Sequence, residues 1–539
     1  LDRVQSILRS VTGLYGGMHK KKKKNKKNGK RKEYRNHARV STEPDASEIL
    51  DGPPYLIKES DIMGRYLVAS RNLEPGTVLM DEDAIVVGPI QNSEPLCLGC
   101  YLKIEDVDTS ARCDRCDWPM CSLECPGLYT PNGHSREECS LLSSASNKTF
   151  KASPINNVYN TIVPLRCLLL KESNPVKWEV LSTMEAHNDI RKNIPSIWAN
   201  NQTSVVDQIR TRWGITKYSE EELHTICGIL EVNCFEIGQN GMSLRALFPV
   251  AFLVCHDCIP NTGHIDQDYH MIVRNSVPLK AGDPITLSYA LTLQPTFKRR
   301  EHLKESKFFE CVCSRCSDPT ESGTYLSAMK CQKCNDGLVL STDPLKADAI
   351  WKCNSTQCTG FSLTADDVNV LMERIQKEVN AAGDDIEALE FFLKQYKNIL
   401  HKHHYCMLGI KYSLSQLYGK CNGYLIHELT EEQLNRKKEI CEDLLSVFNV
   451  IEPGMSRIRA ITMYELHAPI MIQLTRQFQM QNISKRQLKL DLKRVVNYLQ
   501  EASNILSFEP EDSAEGEMCM AANDALERLQ DWEEIIGKL

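Results

Sequence analysis

The chain has 539 residues, 42% hydrophobic and 25% charged, with 23 cysteines and a net charge of -7. This is ordinary globular composition for roughly three or four domains, and no apolar run approaches the ~18 residues that cross a bilayer. A chain that is basic throughout is excluded as well, because residues 1–40 carry 14 Lys/Arg against 2 Asp/Glu while the remainder carries 50 against 69.

Residues 1–52 read as a disordered basic tail centred on His19–Lys32 (HKKKKKNKKNGKRK), too charged to pack. Nucleic acid is expected at most through this tail. No secretory h-region precedes it, so a cytoplasmic or nuclear location is expected and the cysteines are read as thiols or metal ligands. Residues 53–96 turn strand-like, with runs at Arg65–Ser70, Thr77–Met80 and Ala84–Val87 and a turn at Glu74-Pro75-Gly76. Residues 97–139 are rich in cysteine and poor in apolar residues beyond Tyr101, Trp118 and Leu123. Residues 140–245 read as mostly helical from 155 onward, Glu220–Leu230 being one example. The apolar run Ala246–Cys255 suits a buried strand or core helix, and strands are expected to continue to about 290, within a segment bounded at 246–306. A second cysteine-rich region fills 307–360. From 361 to 539 helical periodicity repeats, for instance Ile386, Leu389, Phe392/Leu393, Tyr396 and Leu400. Successive antiparallel helices at this spacing predict an all-α bundle or short tetratricopeptide-like array, a surface on which partner proteins commonly bind.

The spacing of the cysteines carries the strongest chemistry. Cys97-x2-Cys100, Cys113-x2-Cys116, Cys121-x3-Cys125 and His134-x4-Cys139 supply eight ligands within 43 residues, enough for two tetrahedral zinc sites. Paired thiolates two residues apart can grip one ion from a tight turn, and a segment with so little core would draw folding free energy from the metal. Cys331-x2-Cys334 with Cys353-x4-Cys358 has the two-pair form of a zinc ribbon. Cys311-x-Cys313-x2-Cys316 is one ligand short of a fourth site. Eight cysteines remain: Cys167, Cys227, Cys234, Cys255, Cys406, Cys421, Cys441 and Cys519.

Three further segments accompany this pattern. They are Met63-Gly-Arg-Tyr-Leu-Val-Ala-Ser-Arg-Asn-Leu-Glu-Pro-Gly76, Leu247-Phe-Pro-Val-Ala-Phe-Leu-Val-Cys-His-Asp-Cys-Ile-Pro-Asn-Thr262 and Ala281-Gly-Asp-Pro-Ile-Thr-Leu-Ser-Tyr289. With the C-C, C-C, C-C, H-C finger inserted between the first two, the chain resembles the SET- and MYND-domain (SMYD) protein-lysine methyltransferases, and a divergent, arthropod-like branch of them. The resemblance implies an α+β fold: a SET β-fold core, an inserted MYND zinc finger, a cysteine-rich post-SET zinc region and a C-terminal all-α domain. It implies S-adenosyl-L-methionine as cofactor, about four zinc ions per chain, a protein substrate carrying a lysine, and partner proteins on the finger and the helical domain. By position, Tyr289 matches the catalytic tyrosine. Gly64, Arg65, Asn233, Cys255, His256 and Phe309 match cofactor-contacting positions, with Asn261 a knot residue. The same resemblance pairs 97/100 with 121/125 and 113/116 with 134/139, and it makes Cys258 the fourth ligand beside Cys311, Cys313 and Cys316.

The match departs from the family in three places. Cys255 stands where the family has an asparagine, and a thiol replaces neither the donor nor the acceptor of an amide at comparable strength. The glycine-rich opening is Ile62-Met-Gly-Arg-Tyr66, which keeps only Gly64. The finger ends in Pro126–Gly133 and a four-residue spacer, without the family's Gln and Trp. These departures set a second expectation beside the enzyme, a catalytically weakened SET scaffold acting as a zinc-rich adaptor.

Overall fold

The structure is a computed structural model that describes residues 52–61, 63–145, 158–358 and 360–538. The basic tail and Ile62 lie outside the described residues. An antiparallel hairpin, β1 (Tyr55–Ser60) and β2 (Gly64–Ala69), opens the β-core. β3 (Val78–Asp83) and β4 (Val86–Pro89) follow, then a small hairpin of the finger, β5 (Ala111–Arg112) and β6 (Pro119–Met120). The finger closes into α1 (Arg136–Ser143), and α2 (Ile162–Ser173) and α3 (Glu220–Asn233) cover the core. β7 (Phe235–Gln239) and β8 (Met242–Leu247) pair with each other and β8 pairs with β4. β10 (Thr262–Gln267), β11 (His270–Asn275) and β3 form a second antiparallel sheet. Between these sheets β9 (Cys255–His256) runs parallel to β12 (Thr286–Leu287).

Two sequence expectations are corrected here. The segment read as mostly helical up to 245 contains β7 and β8, turned at Asn240-Gly241 with φ of 51° and 74°. Both signs are positive, the demand of a two-residue hairpin turn that Asn-Gly meets at least cost. Ala246–Cys255 is neither one strand nor one helix: β8 stops at Leu247, a 3-10 turn spans Ala251–Leu253, and β9 begins at Cys255. Pro249 interrupts the run because it has no N–H to give a ladder. The Glu82 carboxylate instead accepts from the Val250 and Ala251 N–H groups, at 3.0 and 2.8 Å.

The finger is sewn into the main core. Tyr101 and Trp118 are buried there with Leu96 and Val163, and Trp118 meets Tyr159 and Trp213 edge-on, whereas Leu123 is 63% exposed. After α4 (Thr296–Lys307), the second cysteine region builds a four-stranded antiparallel sheet of β13 (Met329–Lys330), β14 (Leu338–Ser341), β15 (Trp351–Cys353) and β16 (Ser362–Leu363).

Helices α5 (Ala365–Ala382), α6 (Ile386–Tyr396), α7 (Tyr405–Leu417), α8 (Glu431–Ile451), α9 (Arg457–Gln479), α10 (Lys485–Leu506) and α11 (Ala514–Lys538) complete the chain. Capping boxes start α5 at Thr364 and α8 at Thr430, each satisfying two otherwise orphaned N–H groups. Among the described residues no helix is long and apolar enough to cross a membrane.

Candidate metal centres and cofactor site

The cysteines converge on four points. Cys97, Cys100, Cys121 and Cys125 form one group and Cys113, Cys116, His134 and Cys139 a second. Cys258, Cys311, Cys313 and Cys316 form a third, and Cys331, Cys334, Cys353 and Cys358 a fourth. Within each, the ligand atoms all lie within 4.8 Å of one another. A tetrahedral zinc with thiolates at 2.3 Å requires an S···S edge of about 3.8 Å. The observed edges are 3.6 Å for Cys97–Cys125 and Cys113–Cys139, 3.5 Å for Cys258–Cys316, and 3.7 Å for Cys331–Cys358 and Cys334–Cys353. The donor sets therefore fit zinc. The first two groups interleave along the chain, so each ion ties a knuckle near 100 or 115 to one beyond 120.

Glycines permit the tight packing of the finger. A Cβ on Gly127 would lie 1.9 Å from the Gly99 carbonyl oxygen, backbone against backbone.

Residues behind the ligands complete the sites, and the sequence reading had passed over them. His134 presents Nε2 to Cys116 Sγ at 3.3 Å while its Nδ1 meets Glu138 Oε1 at 2.6 Å. Glu138 also binds the Arg166 guanidinium, which reaches back to the Val87 carbonyl at 2.8 Å and so fastens finger to sheet. Burial pushes the Glu138 carboxyl upward, but Arg166 and His134 outweigh it and hold the group below its ordinary value. Such a carboxylate fixes the imidazole tautomer and raises its basicity toward metal.

At the third group two fully buried arginines do comparable work. Arg299 Nε lies 3.2 Å from Cys258 Sγ and its Nη1 2.8 Å from Glu321, while Arg315 Nη1 donates to the Cys258 carbonyl at 3.0 Å. Four thiolates around one divalent ion, with the buried Glu321, place three negative charges in the interior, which the two guanidiniums offset in part. The His134-x3-Glu138 spacing was a readable i,i+4 signal; Arg299 was legible only as a residue of the family-like segment, and Arg315 gave no signal, since its role depends on chain segments far apart.

The candidate cofactor residues gather where β9 meets β12. The Tyr289 N–H donates to His256 Nδ1 at 3.0 Å, and the Tyr289 hydroxyl donates to the Val254 carbonyl. Burial raises the phenol well above its ordinary value, so it stays protonated, and burial drops His256 to about 4, so it stays neutral. Phe309 lies 5.8 Å from the His256 ring and remains 37% exposed. Asn261 donates to the Pro284 carbonyl and accepts from the Thr286 N–H, both at 2.8 Å, pinning the loop after β9 to the start of β12.

Cys255 lies beside this cluster. Its Sγ faces the Ile285 carbonyl at 3.5 Å and burial lifts the thiol to about 11. It is therefore a neutral, weak donor already turned toward backbone. Arg65 and Asn233 stand apart from the ring cluster and share a different neighbour. Arg65 donates to Thr183 O at 2.5 Å and Asn233 to Glu185 O at 2.9 Å, so both hold the loop at 183–185. Gly64 has φ of 62°, a left-handed conformation that favours glycine, with nothing within 4 Å of a built Cβ.

Lys307 was not singled out from sequence. Its Nζ donates to the Val232 and Glu231 carbonyls at the end of α3, at 2.7 and 3.3 Å, and lies 5.6 Å from the Tyr289 ring centre.

Comparison with known proteins bears on the lineage. A 321-residue segment is 30% identical to the SET domain-containing protein SmydA-8, isoform B, of Drosophila melanogaster, covering 56% of this chain and 66% of that protein. Over this segment the chain is similar to SET- and MYND-domain proteins. The isoform A relative is 27% identical over 320 residues, 56% of this chain and 64% of its own length. Mouse histone-lysine N-methyltransferase SMYD3 is 23% identical over 283 residues, 49% of this chain and 61% of its own. The matched segment thus spans just under two thirds of these SMYD relatives. No family model matches. A solved structure, the SET domain of LSMT bound to lysine and AdoHcy, superposes with a TM-score of 0.25 at 11% identity over 91% of this chain and 90% of that one, too distant to argue from.

Proposed function

We propose that this protein is an S-adenosylmethionine-dependent protein-lysine N-methyltransferase. The observation that carries the reading is the Tyr289 hydroxyl held against the Val254 carbonyl, with the Tyr289 N–H locked onto His256 Nδ1. When bound, S-adenosylmethionine supplies the methyl group. The chain's own part is positional. A phenol and a carbonyl fixed side by side orient an amine for in-line attack, and positioning of this kind accounts for much of the barrier lowered in such transfers. A lysine ammonium, pKa near 10.4 when free, must shed a proton first, and the half-buried setting around Tyr289 favours the neutral amine. Asn233, His256 and Phe309 would line the cofactor's seat, and the four zinc ions would be structural. Names of relatives such as histone-lysine N-methyltransferase SMYD3 support a protein substrate. Partner proteins would dock on the finger and the helical domain.

One observation favours a second reading, a weakened SET scaffold: Cys255 cannot give a cofactor the paired donor and acceptor of an amide. Calorimetric titration of the full chain with S-adenosylmethionine tests both. Micromolar binding by the wild type supports the enzyme. Binding that emerges only in Cys255→Asn supports the scaffold. Absence of binding at millimolar cofactor in both proteins overturns the methyltransferase reading.

A further inference from the structure

A cleft of about 570 Å³ runs between the β-core and the helical domain, past Ser288 and Ala290 on either side of Tyr289. Its walls carry four carboxylates, Asp266, Glu452, Glu509 and Glu515, against two guanidiniums, Arg274 and Arg457. Only one of the acids has a cationic partner in the wall: Glu509 pairs with Arg457 at 2.7 Å. Glu452 is held by the hydroxyls of Thr292 and Ser456, at 2.7 and 3.0 Å. Arg274 is turned onto the Phe508 ring, 4.5 Å from its centre. Burial raises the Glu509 carboxyl above its ordinary value, and Glu515 and Asp266 add to that in spite of Arg457. The cleft is thus short of positive charge by two.

A second feature of the same wall also asks for a donor. Asn275 is fully buried, donates its amide to the Glu74 and Val277 carbonyls at 2.9 Å, and leaves Oδ1 with no hydrogen-bond partner.

A matching cation source exists in the same molecule. His19–Lys32 holds ten Lys/Arg and no acid. The described chain starts at Gly52, with the Pro53 carbonyl accepting from Ser70 Oγ at 3.0 Å, and Ser70 is six residues from Gly76 in the cleft wall. Six residues span at most about 20 Å, and the 20-residue separation from Lys32 to Gly52 reaches up to about 66 Å. Tethering at that distance replaces bulk encounter with a high effective concentration. We propose that this cleft docks the chain's own lysine-rich segment, His19–Lys32, in cis. Docking itself is independent of methyl transfer, and the test reads docking alone.

The test is zero-length carbodiimide coupling of lysine amines to carboxylates on the intact chain, nuclease-treated, as an equal mixture of ¹⁴N and ¹⁵N protein, mapped by mass spectrometry. The Lys402–Asp443 pair, 3.0 Å apart, serves as internal control. Expected are couplings from Lys20–Lys32 to Asp266, Glu509 or Glu515 within a single isotope. They should fall at least five-fold between 50 and 500 mM salt, and equally in Glu509→Gln/Glu515→Gln. A chain in which Lys20 to Lys24 are each replaced by Gln leaves the fold untouched and should lower coupling from the remaining tail lysines. Control coupling without tail-to-cleft coupling overturns the proposal. So do couplings that mix isotopes, which would mean a second copy fills the cleft, and couplings unaffected by salt and by both variants.

Discussion

At the scale of single residues, Glu138 is the group on which most converges. It faces His134 Nδ1, binds Arg166 and is itself 1% exposed. Glu138→Ala would strand a buried guanidinium and free the imidazole, costing about 3–5 kcal/mol of stability and ten- to hundred-fold in zinc affinity at that site. Competition with a graded chelator reads the second effect, and an unchanged affinity would refute a supporting role. Tyr289→Phe keeps the ring on His256 but removes the hydroxyl at Val254. On the methyltransferase reading the rate of methyl transfer should fall by a factor of about 10² or more while cofactor affinity moves little. Residue identities were the most readable layer, because paired cysteines carry their chemistry in local spacing, whereas Tyr289 was marked only by the family resemblance of the segment that ends on it. Arg315 and Lys307 were not readable, since each acts through atoms brought near by tertiary folding alone, whereas Glu138 was within reach through its i,i+4 spacing from His134.

Elements show the same division. The helices of the C-terminal half follow from their apolar period and capping boxes, and α6 covers Ile386 to Tyr396 of the residues whose spacing announced it, while Leu400 lies past its end in a bridge to Met329. β7 and β8 were hidden because Cys234–Leu247 is short and mixed in character, though Asn240-Gly241 was a legible turn. Gly127→Ala would push a methyl into the Gly99 carbonyl, and the finger should lose its fixed geometry; loss of tetrahedral cobalt absorption at the finger sites would register this. Histidines at α7 and α9 add to an acid sensitivity that His224, His256 and His401, each lowered by burial to about 4, share. Burial holds His404 down to about 3 and His467 to about 4. Between those values and about 6.5 the unfolded chain binds protons that the folded one does not, so stability rises with pH across that window and is lost on acidification. Each histidine contributes about 1.4 kcal/mol per pH unit. The melting temperature should drop between pH 6.5 and 5, above the range where carboxylates protonate, and His467→Gln should flatten that slope.

For the whole molecule, the near-neutral charge conceals a cationic tail and an acidic body, and the excess of cysteine resolves into four donor sets. Native mass spectrometry should find about four zinc ions per chain; two or fewer would refute the ribbon and Cys258 groups. On chelation the finger and ribbon should lose protection from hydrogen exchange while α10, whose core holds no ligand, keeps its own.

The third group has a topological consequence. Cys258 and Cys311 are 53 residues apart, and the ion between them closes a loop that contains β10, β11, β12 and α4. In polymer terms it is a cross-link, removing about 4 kcal/mol of freedom from the unfolded chain, yet one that forms without an oxidant. The parallel pairing joins Cys255–His256, just before Cys258, to Thr286–Leu287 inside that loop, so the strand register beneath Tyr289 sits against a clasp that a chelator can open and added metal can close.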